Sequence, residues 1–210
     1  MDGLFIALEG PDGSGKSTIA KLLADYFEKN NIAYISTREP GGTDIGEKIR
    51  ELILDKAHTD MSDKTEALLY AASRSQHVDE KILPALSEGK VVLCDRFVLS
   101  SLAYQGRGRG LGIESVKEIN DFAIGDVYPD LILFFYIDPG ITLKRKTASS
   151  GVDRLELEGD KFHQDVYRGY MEVLDMYPEN IKKIDAGKSI EEVLRQSIEQ
   201  IESLLENRGE

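Results

Sequence analysis

Short apolar runs alternate along the chain with longer segments in which apolar residues recur every three or four positions. Most of the short runs are apolar at successive positions, a pattern typical of strands in a sheet that is covered on both faces. They predict five strands: Leu4–Leu8, Ala33–Ile35, Val91–Cys94, Leu131–Ile137 and Ile181–Ile184.

The longer segments have the periodicity of helices that bury one face. They predict helices over Ser17–Lys29, Asp44–Leu54, Lys64–Ser87, Ile113–Ala123, Ile141–Ala148, Lys161–Met176 and Ser189–Glu206. Because strands and helices alternate, we expect an α/β fold built on a mainly parallel sheet with right-handed crossovers.

Two segments interrupt this pattern. Gln105–Gly112 contains four glycines, and we expect it to form no regular structure. Thr147–Gly159 is polar, charged and punctuated by glycine, as many ligand-contacting loops and ordinary surface loops are. We expect both segments to be mobile.

Composition narrows the class of protein. The 210 residues contain no linker-like stretch, so a single domain over residues 1–210 is expected. The net charge of −12 argues against general binding to nucleic acid or to an anionic membrane, since both require clustered positive charge. No apolar run approaches the roughly 20 residues that span a bilayer. A soluble, cytoplasmic protein is the expectation.

Cysteine and histidine offer little chemistry. The one cysteine, Cys94, excludes an internal disulfide and a multi-cysteine zinc site, and it suits a reducing compartment. Its place in an apolar strand predicts a core residue. His58, His77 and His163 lie in polar stretches without metal-ligand spacing, and we expect all three at the surface.

The strongest motif follows the first strand. Gly10–Ser17 matches G-x-x-x-x-G-K-[ST], the P-loop, between a strand and an amphipathic helix. Glycines let successive N–H groups point inward at a helix N-terminus, Lys16 reaches the β- and γ-phosphates, and the Ser17 hydroxyl binds Mg²⁺. We therefore expect a nucleoside triphosphate to contact Gly10, Pro11, Asp12, Gly13, Ser14, Gly15, Lys16, Ser17 and Thr18.

Polar residues at two further strand ends indicate a second anionic ligand. Asp95 ends the third strand, where it can hold Mg²⁺ directly or through water. Arg38 and Arg96 follow the second and third strands at the same sheet edge, where guanidinium groups bind phosphate bidentately. A nucleoside monophosphate acceptor would need this pair, and a nucleoside acceptor would not.

Three functions remain open at this point: a kinase, a GTPase-type switch, and a P-loop regulatory module without small-molecule turnover. A guanine-specific switch should carry an N-K-x-D-like base reader and a D-x-x-G turn. The chain has no such reader, and its third strand continues as Asp95-Arg96-Phe97-Val98. The switch is therefore the least favoured.

Taken together, the motifs resemble one family. The P-loop, Arg-Glu-Pro-Gly-Gly-Thr at 38–43, Asp95-Arg96-Phe97 with Ser100–Gly106, and Asp153–Glu156 occur in order. The chain resembles bacterial thymidylate kinases over essentially its full length. The resemblance implies transfer of the ATP γ-phosphoryl group to dTMP with Mg²⁺, a homodimer, and a three-layer P-loop NTPase fold in which helices flank a five-stranded parallel sheet.

The same resemblance assigns the acceptor site. It implies that Tyr70 lies against the thymine face and that Arg74 meets the O4 edge; both are on one helix face, four residues apart. Ser101, Tyr104 and Gln105 line the deoxyribose and base pocket, with Tyr104 as the steric reader of a missing 2′-hydroxyl.

The resemblance also implies a lid over ATP, at about residues 147–159. Gly13 stands where a eukaryotic-like P-loop has an arginine, so the lid must supply positive charge to the transferring group. Arg145 and Arg154 are the two candidates, and the sequence leaves the choice between them open. The expected catalytic residues are Lys16, Arg96, Asp12, Arg145 and Arg154.

Overall fold

The computed structural model describes residues 3–137, 153–155, 157–176 and 180–208. Within those ranges the chain forms a five-stranded, wholly parallel sheet in the order β2-β3-β1-β4-β5. The five-stranded parallel core is thus confirmed. The strands are β1 (Leu4–Glu9), β2 (Tyr34–Arg38), β3 (Val91–Asp95), β4 (Leu131–Tyr136) and β5 (Ile181–Asp185).

Helices connect the strands and cover the sheet. The predicted helix Lys64–Ser87 is one helical run in three parts, because α3 continues through a π-helical segment, Val78–Ile82, into α4. The predicted helix Ile141–Ala148 lies outside the described residues. The helices are α1 (Lys16–Lys29), α2 (Asp44–Leu54), α3 (Asp63–His77), α4 (Leu83–Ser87), α5 (Val98–Ser101), α6 (Ile113–Ile124), α7 (Asp160–Met176) and α8 (Ile190–Arg208).

Successive residues of the central strands enter two different cores. In β1, Phe5 and Ala7 face a core completed by the α3–α7 side, whereas Leu4, Ile6 and Leu8 face a core completed by α1 and α8. This is why the strand is apolar at every position, and it gives the predicted three layers. None of the helices in the described ranges has the length and apolar character needed to cross a bilayer.

The sheet edges were harder to predict than the centre. β2 is an edge strand with half-exposed and exposed residues, and it extends three residues past the predicted end at Ile35. Its last residue, Arg38, is in register with Asp95 of β3, which is in register with Leu8 of β1. The ends of three neighbouring strands therefore meet beside the P-loop.

The expectation of irregular structure in Gln105–Gly112 is wrong for its first half. Residues Leu102–Gly108 form a π-helical segment packed on α7. A Cβ atom on Gly108 would lie 2.9 Å from Cε2 of Phe162, and one on Gly169 would lie 3.0 Å from the Ala103 carbonyl oxygen. Glycine here permits close packing of two helical segments. The prediction of irregular structure treated these glycines only as a source of backbone flexibility.

We predict that Gly169→Ala lowers the free energy of unfolding by about 1–2 kcal/mol. The new methyl group would contact backbone atoms of Ala103, which cannot move away as a flexible side chain would, so the overpacking cost should lie in the upper part of its usual range of about 1–3 kcal/mol. The helix-propensity gain of about 1 kcal/mol for replacing glycine by alanine offsets only part of that cost. Denaturant unfolding measures the change. Gly159→Ala, where a Cβ meets no atom within 4 Å, is the matched control; equal stability of both variants would contradict the prediction.

Candidate nucleotide-binding site

The P-loop is curled by glycines at the end of β1. Gly10, Gly13 and Gly15 have φ angles of 138°, 77° and 90°, a region that side chains with a Cβ rarely adopt. Gly15 precedes α1 and offers no side chain to cap its first N–H groups. These N–H groups and the helix dipole form the anion-binding end that the motif predicts.

Lys16 bends back over the loop that precedes it. Its Nζ donates to the carbonyl oxygens of Gly10 and Pro11, each at 2.9 Å. Burial, followed by the charge of Arg96, lowers the pKa of Lys16 to about 8. A phosphate oxygen beside this buried amine would restore its preference for the charged form.

Ser17 and Asp95 form the part of the site suited to a cation. Ser17 Oγ donates to Asp95 Oδ2 at 2.8 Å, and this joins the start of α1 to the end of β3. Among the described residues, Asp95 Oδ1 is buried without a hydrogen-bond partner. A carboxylate oxygen and a hydroxyl oxygen are ligands that Mg²⁺ prefers, so the donor set fits the predicted metal.

Arg96 ties β3 to the P-loop. Its backbone has a φ of 72°, uncommon for a residue other than glycine. The guanidinium group donates to Gly10 O at 3.2 Å, to the Tyr170 hydroxyl at 3.0 Å and to Asp12. Tyr104 donates to the other oxygen of Asp12 at 2.8 Å. Burial and the charge of Asp12 raise the pKa of Tyr104, so its hydroxyl keeps the proton it donates.

Glu9 holds the chain after Arg96 in place, and the sequence analysis missed it. This fully buried carboxyl accepts from Phe97 N at 2.8 Å, Ser100 N at 3.1 Å and Ser100 Oγ at 2.6 Å. Burial raises the pKa of Glu9. An acidic residue at the end of an otherwise apolar strand was the only available signal.

The predicted acceptor residues share one cavity. It has a volume of about 360 Å³, and Ser17 and Asp95 are among the residues that line it. The predicted residues that line it are Asp12, Ser17, Arg38, Tyr70, Arg74, Asp95, Arg96, Ser101, Tyr104 and Gln105. Residues that the sequence analysis did not single out also line it: Glu39, Pro40, Arg50, Leu54, Ser100, Asp153 and Leu155.

Arg38 lies at the open side of this cavity. Its guanidinium group makes a bidentate pair with Glu47 of α2, at 2.9 and 3.0 Å, and both side chains are more than two-fifths exposed. Arg50, one turn further along α2, donates to the Pro40 carbonyl oxygen at 3.0 Å. Arg38 therefore lines the cavity, and its ion pair with Glu47 is exposed to solvent.

Arg74 is fixed from several sides. Its Nε donates to Glu39 Oε2 at 2.7 Å, its Nη1 to Ser101 Oγ at 3.0 Å and to Asn120, and its Nη2 to Phe97 O at 3.0 Å. The side chain is only 2% exposed and still lines the cavity. These hydrogen bonds hold the Arg74 guanidinium group in a single orientation, which is the one that a ligand in the cavity would meet.

Glu39, which pairs with Arg74, also contacts His77. His77 is fully buried, so the expectation that it lies at the surface is wrong. Its Nδ1 lies 2.9 Å from Glu39 Oε1 and its Nε2 lies 2.7 Å from Thr37 Oγ1. Glu39, His77 and the buried Cys94 come within 4.8 Å of one another. Because Glu39 is already paired with Arg74, we interpret this cluster as a hydrogen-bond network.

Arg154 does not reach the P-loop in this structure, contrary to the expectation of a lid arginine at the transferring group. Its Nε donates to Ile53 O at 2.8 Å and its Nη2 to Glu66 Oε2 at 2.6 Å. The neighbouring residues Asp153 and Leu155 line the cavity instead. Arg145 and residues 147–152 of the predicted lid lie outside the described residues.

A P-loop beside an arginine-lined cavity, at the end of a parallel sheet, is typical of P-loop nucleotide-binding proteins. The family model for thymidylate kinase matches residues 8–197. The chain is 61% identical to a thymidylate kinase of Finegoldia magna, covering 93% of this chain and 96% of the relative. It is 55% identical to that of Lactobacillus helveticus, covering 98% of both chains, and 53% identical to that of Clostridium novyi, covering 92% of this chain and 96% of the relative. The chain belongs to the thymidylate kinase family.

We predict that Lys16 makes stability rise with pH in nucleotide-free solution. The unfolded lysine holds its proton up to a pKa of about 10.5, and the folded one releases it from about 8, so the unfolded state binds more protons between these values. The difference in unfolding free energy between wild type and Lys16→Met should increase by about 2 kcal/mol from pH 8 to 9.5, at about 1.4 kcal/mol per pKa unit. Denaturant unfolding along this pH series measures it, and a constant difference would contradict the prediction.

Proposed function

We propose that the protein transfers the γ-phosphoryl group of Mg²⁺·ATP to dTMP, which yields ADP and dTDP. The observation that carries this proposal is the cavity itself. It brings the P-loop end, at Asp12 and Ser17, together with Arg38, Arg96 and Tyr70. The family supports the choice of acceptor, since the similar proteins are thymidylate kinases.

The donor side would hold ATP through the loop N–H groups, Lys16 and Thr18. Lys16 exchanges its carbonyl partners for β- and γ-phosphate oxygens, which costs little because its amine is already placed. Ser17 and Asp95 would hold Mg²⁺, and the ion would supply charge neutralisation on the triphosphate. The buried oxygen of Asp95 without a partner supports this placement.

The acceptor side would hold dTMP through Arg38 and Arg96 on its phosphate. Both arginines are paired with a carboxylate, Glu47 and Asp12, so a phosphate would replace one anion by another. Arg96 also donates to Gly10 O, and the same guanidinium therefore touches the loop that holds the donor.

The base and sugar would lie deeper in the cavity. Tyr70 offers a half-buried ring, and burial raises its pKa, so the ring would present an uncharged face to a pyrimidine. Arg74 would donate to O4, as the family resemblance implies, and its place in the cavity lining supports this role. Tyr104, held by Asp12, would exclude a 2′-hydroxyl together with Ser101.

Catalysis in this scheme consists of positioning and charge neutralisation. No general base is assigned, because the phosphate of dTMP is itself anionic near neutral pH. Lys16, Arg96 and a lid arginine would offset the repulsion between the two nucleotides. Arg145 remains a candidate for that lid role. Arg154 could serve only after leaving Glu66 and the Ile53 carbonyl group.

A regulatory module without turnover is the alternative, and the family membership of the chain does not favour it. A coupled assay of ADP release with and without dTMP separates the two functions. We predict that dTMP strongly stimulates ADP release and that dTDP forms in equal amount. Binding of both nucleotides without dTDP formation would overturn the kinase proposal.

Arg38→Gln tests the acceptor phosphate site. We predict a fall in kcat/KM for dTMP of about 10- to 100-fold, because a hydrogen bond to a charged group contributes about 1.5–3 kcal/mol. The KM for ATP should stay unchanged, since Arg38 lies at the acceptor side. Arg168→Gln removes an exposed arginine that is paired with Asp165 on α7, and it is the matched control. Equal kinetics of the two variants would remove Arg38 from the site.

The predicted homodimer remains part of this proposal. Apolar side chains are exposed on the three helices α2, α3 and α6. Of these, α2 packs on α3 and α3 packs on α6. They are Ile45, Leu52, Leu68 and Phe122, and Phe122 is 93% exposed. Exposed apolar side chains on three helices that pack in series suit a second copy of the chain more than they suit water.

We predict that Phe122→Lys converts the protein from dimer to monomer at micromolar concentration. A lysine at the centre of an apolar interface would have to be buried without a partner. Sedimentation equilibrium measures the mass. Ile190→Lys, on α8 at the other face of the sheet, replaces a residue that is 54% exposed and should leave the mass unchanged. A monomeric wild type would contradict the dimer.

Three further expectations stay predictions: a single domain over residues 1–210, no nucleic-acid partner, and a cytoplasmic location. The net charge of −12 supports the second of them. Cys94 is a free, buried thiol, as suits a reducing compartment.

A further inference from the structure

A buried carboxylate in α3 has no part in the scheme described above. Glu66 is fully buried and receives hydrogen bonds from three side chains. Gln105 Nε2 lies 2.9 Å from its Oε1, while Arg109 Nη2 and Arg154 Nη2 lie 3.0 and 2.6 Å from its Oε2. Glu66 thus connects a cavity-lining residue to two arginines outside the cavity.

This contact decides which way the Gln105 amide faces. Two arginines donate to the Glu66 carboxylate, and a carboxylate in that setting only accepts hydrogen bonds. The amide nitrogen of Gln105 must therefore face Glu66, because its oxygen would meet another oxygen there. Gln105 is 1% exposed, so bulk water could not compensate for the loss of this contact if the amide faced the other way.

The opposite atom of the amide is left for the cavity. Among the described residues, no hydrogen bond reaches Gln105 Oε1, and Gln105 lines the cavity together with Arg74 and Tyr70. The cavity lining therefore offers one acceptor, from Gln105, and a donor, from Arg74, on two deeply buried side chains.

A pyrimidine edge can match this pair in only one chemical form. A 4-oxo pyrimidine such as thymine presents an N3–H donor and an O4 acceptor. A 4-amino pyrimidine such as cytosine presents an N3 acceptor and an N4 donor. Its N3 would face the acceptor oxygen of Gln105, and its N4 amino group would face the donor of Arg74.

We propose that Glu66 is a positioning residue for base selection: it fixes the Gln105 amide with its oxygen toward the base and thereby makes the cavity select 4-oxo over 4-amino pyrimidine nucleotides. The proposal rests on the proposed function of dTMP phosphorylation and deepens it. Glu66 itself touches no substrate. A purely structural anchor for Arg109 and Arg154 would affect stability without changing the preference between bases.

Glu66→Gln tests the proposal because it is nearly isosteric. Two guanidinium N–H groups lie at the Oε2 position, at 3.0 and 2.6 Å, and one weaker contact, from Arg109 Nε at 3.3 Å, lies at Oε1. The oxygen of the new amide should therefore take the Oε2 position, so that its NH₂ group faces Gln105 and turns the Gln105 amide around. The competing substrate is 5-methyl-dCMP, which keeps the methyl group of dTMP and differs from it only at N3 and C4. We expect the ratio of kcat/KM for dTMP to kcat/KM for 5-methyl-dCMP to fall by about tenfold or more. The KM for ATP should not change.

Asp63→Asn is the matched control. Asp63 is half-exposed and lies 3.5 Å from Arg109 Nε, so this variant removes a carboxylate from the same arginine without touching Gln105. It should keep the wild-type ratio. A ratio in Glu66→Gln within about threefold of wild type, in a variant with normal dTMP turnover, would overturn the positioning role.

A second measurement needs no folded variant of Glu66. In wild-type protein labelled with ¹⁵N-glutamine, the side-chain amide protons of Gln105, assigned by their loss in Gln105→Leu, should be protected from exchange with solvent both with and without dTMP. Exchange as fast as that of the exposed Gln164 would contradict the contact with Glu66. If wild type fails to phosphorylate dTMP, the proposed function falls while this exchange measurement still decides the orientation of Gln105.

Discussion

Arginines gathered at one edge of a sheet repel one another, and this fold holds each of three cavity arginines with a carboxylate. Arg38 pairs with Glu47, Arg74 with Glu39, and Arg96 with Asp12. Burying an unpaired charge is costly, so these partners are a condition for assembling the edge at all. They also explain how a chain with a net charge of −12 gathers four arginines in one cavity, since four carboxylates line the same cavity.

The three pairs differ in burial, and this difference separates their roles. The Arg38–Glu47 pair is exposed on both sides, and exposed ion pairs contribute about 0–1 kcal/mol, so another anion can take the place of Glu47 at low cost. The Arg74–Glu39 pair is 2% exposed on both sides, and breaking it would leave a buried charge. The exposed arginine suits exchange with a phosphate, whereas the buried one suits the reading of a fixed edge.

Sequence reasoning succeeded where the information is local. The P-loop motif, the apolar central strands and the polar residues at the ends of β2 and β3 each lie within a few consecutive positions, and a parallel sheet brings such strand ends together. The partners of these residues could not be predicted, because Glu9 contacts Ser100 across 91 positions and Arg154 contacts Glu66 across 88. No periodicity in one chain records contacts of that range.

The wrong predictions have the same origin. Glycines at 106 and 108 were interpreted as flexible, but whether a glycine loosens a segment or lets it pack closely depends on what lies opposite. Here Ile113 of α6 lies opposite Gly106, and Val166 and Phe162 of α7 lie opposite Gly108. His77 lies in a polar stretch, yet it is buried because Glu39 and Thr37 satisfy both ring nitrogens. Both errors come from judging a residue without its distant neighbours.

Lys16 gives the P-loop its shape from within. Its ammonium group gathers the carbonyl oxygens of Gly10 and Pro11, while the glycines set the curl of the backbone. The loss of conformational entropy that such a curled loop entails is thus incurred when the chain folds. A triphosphate that enters meets a backbone that is already curled and has only to draw Lys16 from the carbonyl oxygens, so most of its contact energy is left for affinity instead of being consumed in ordering the loop.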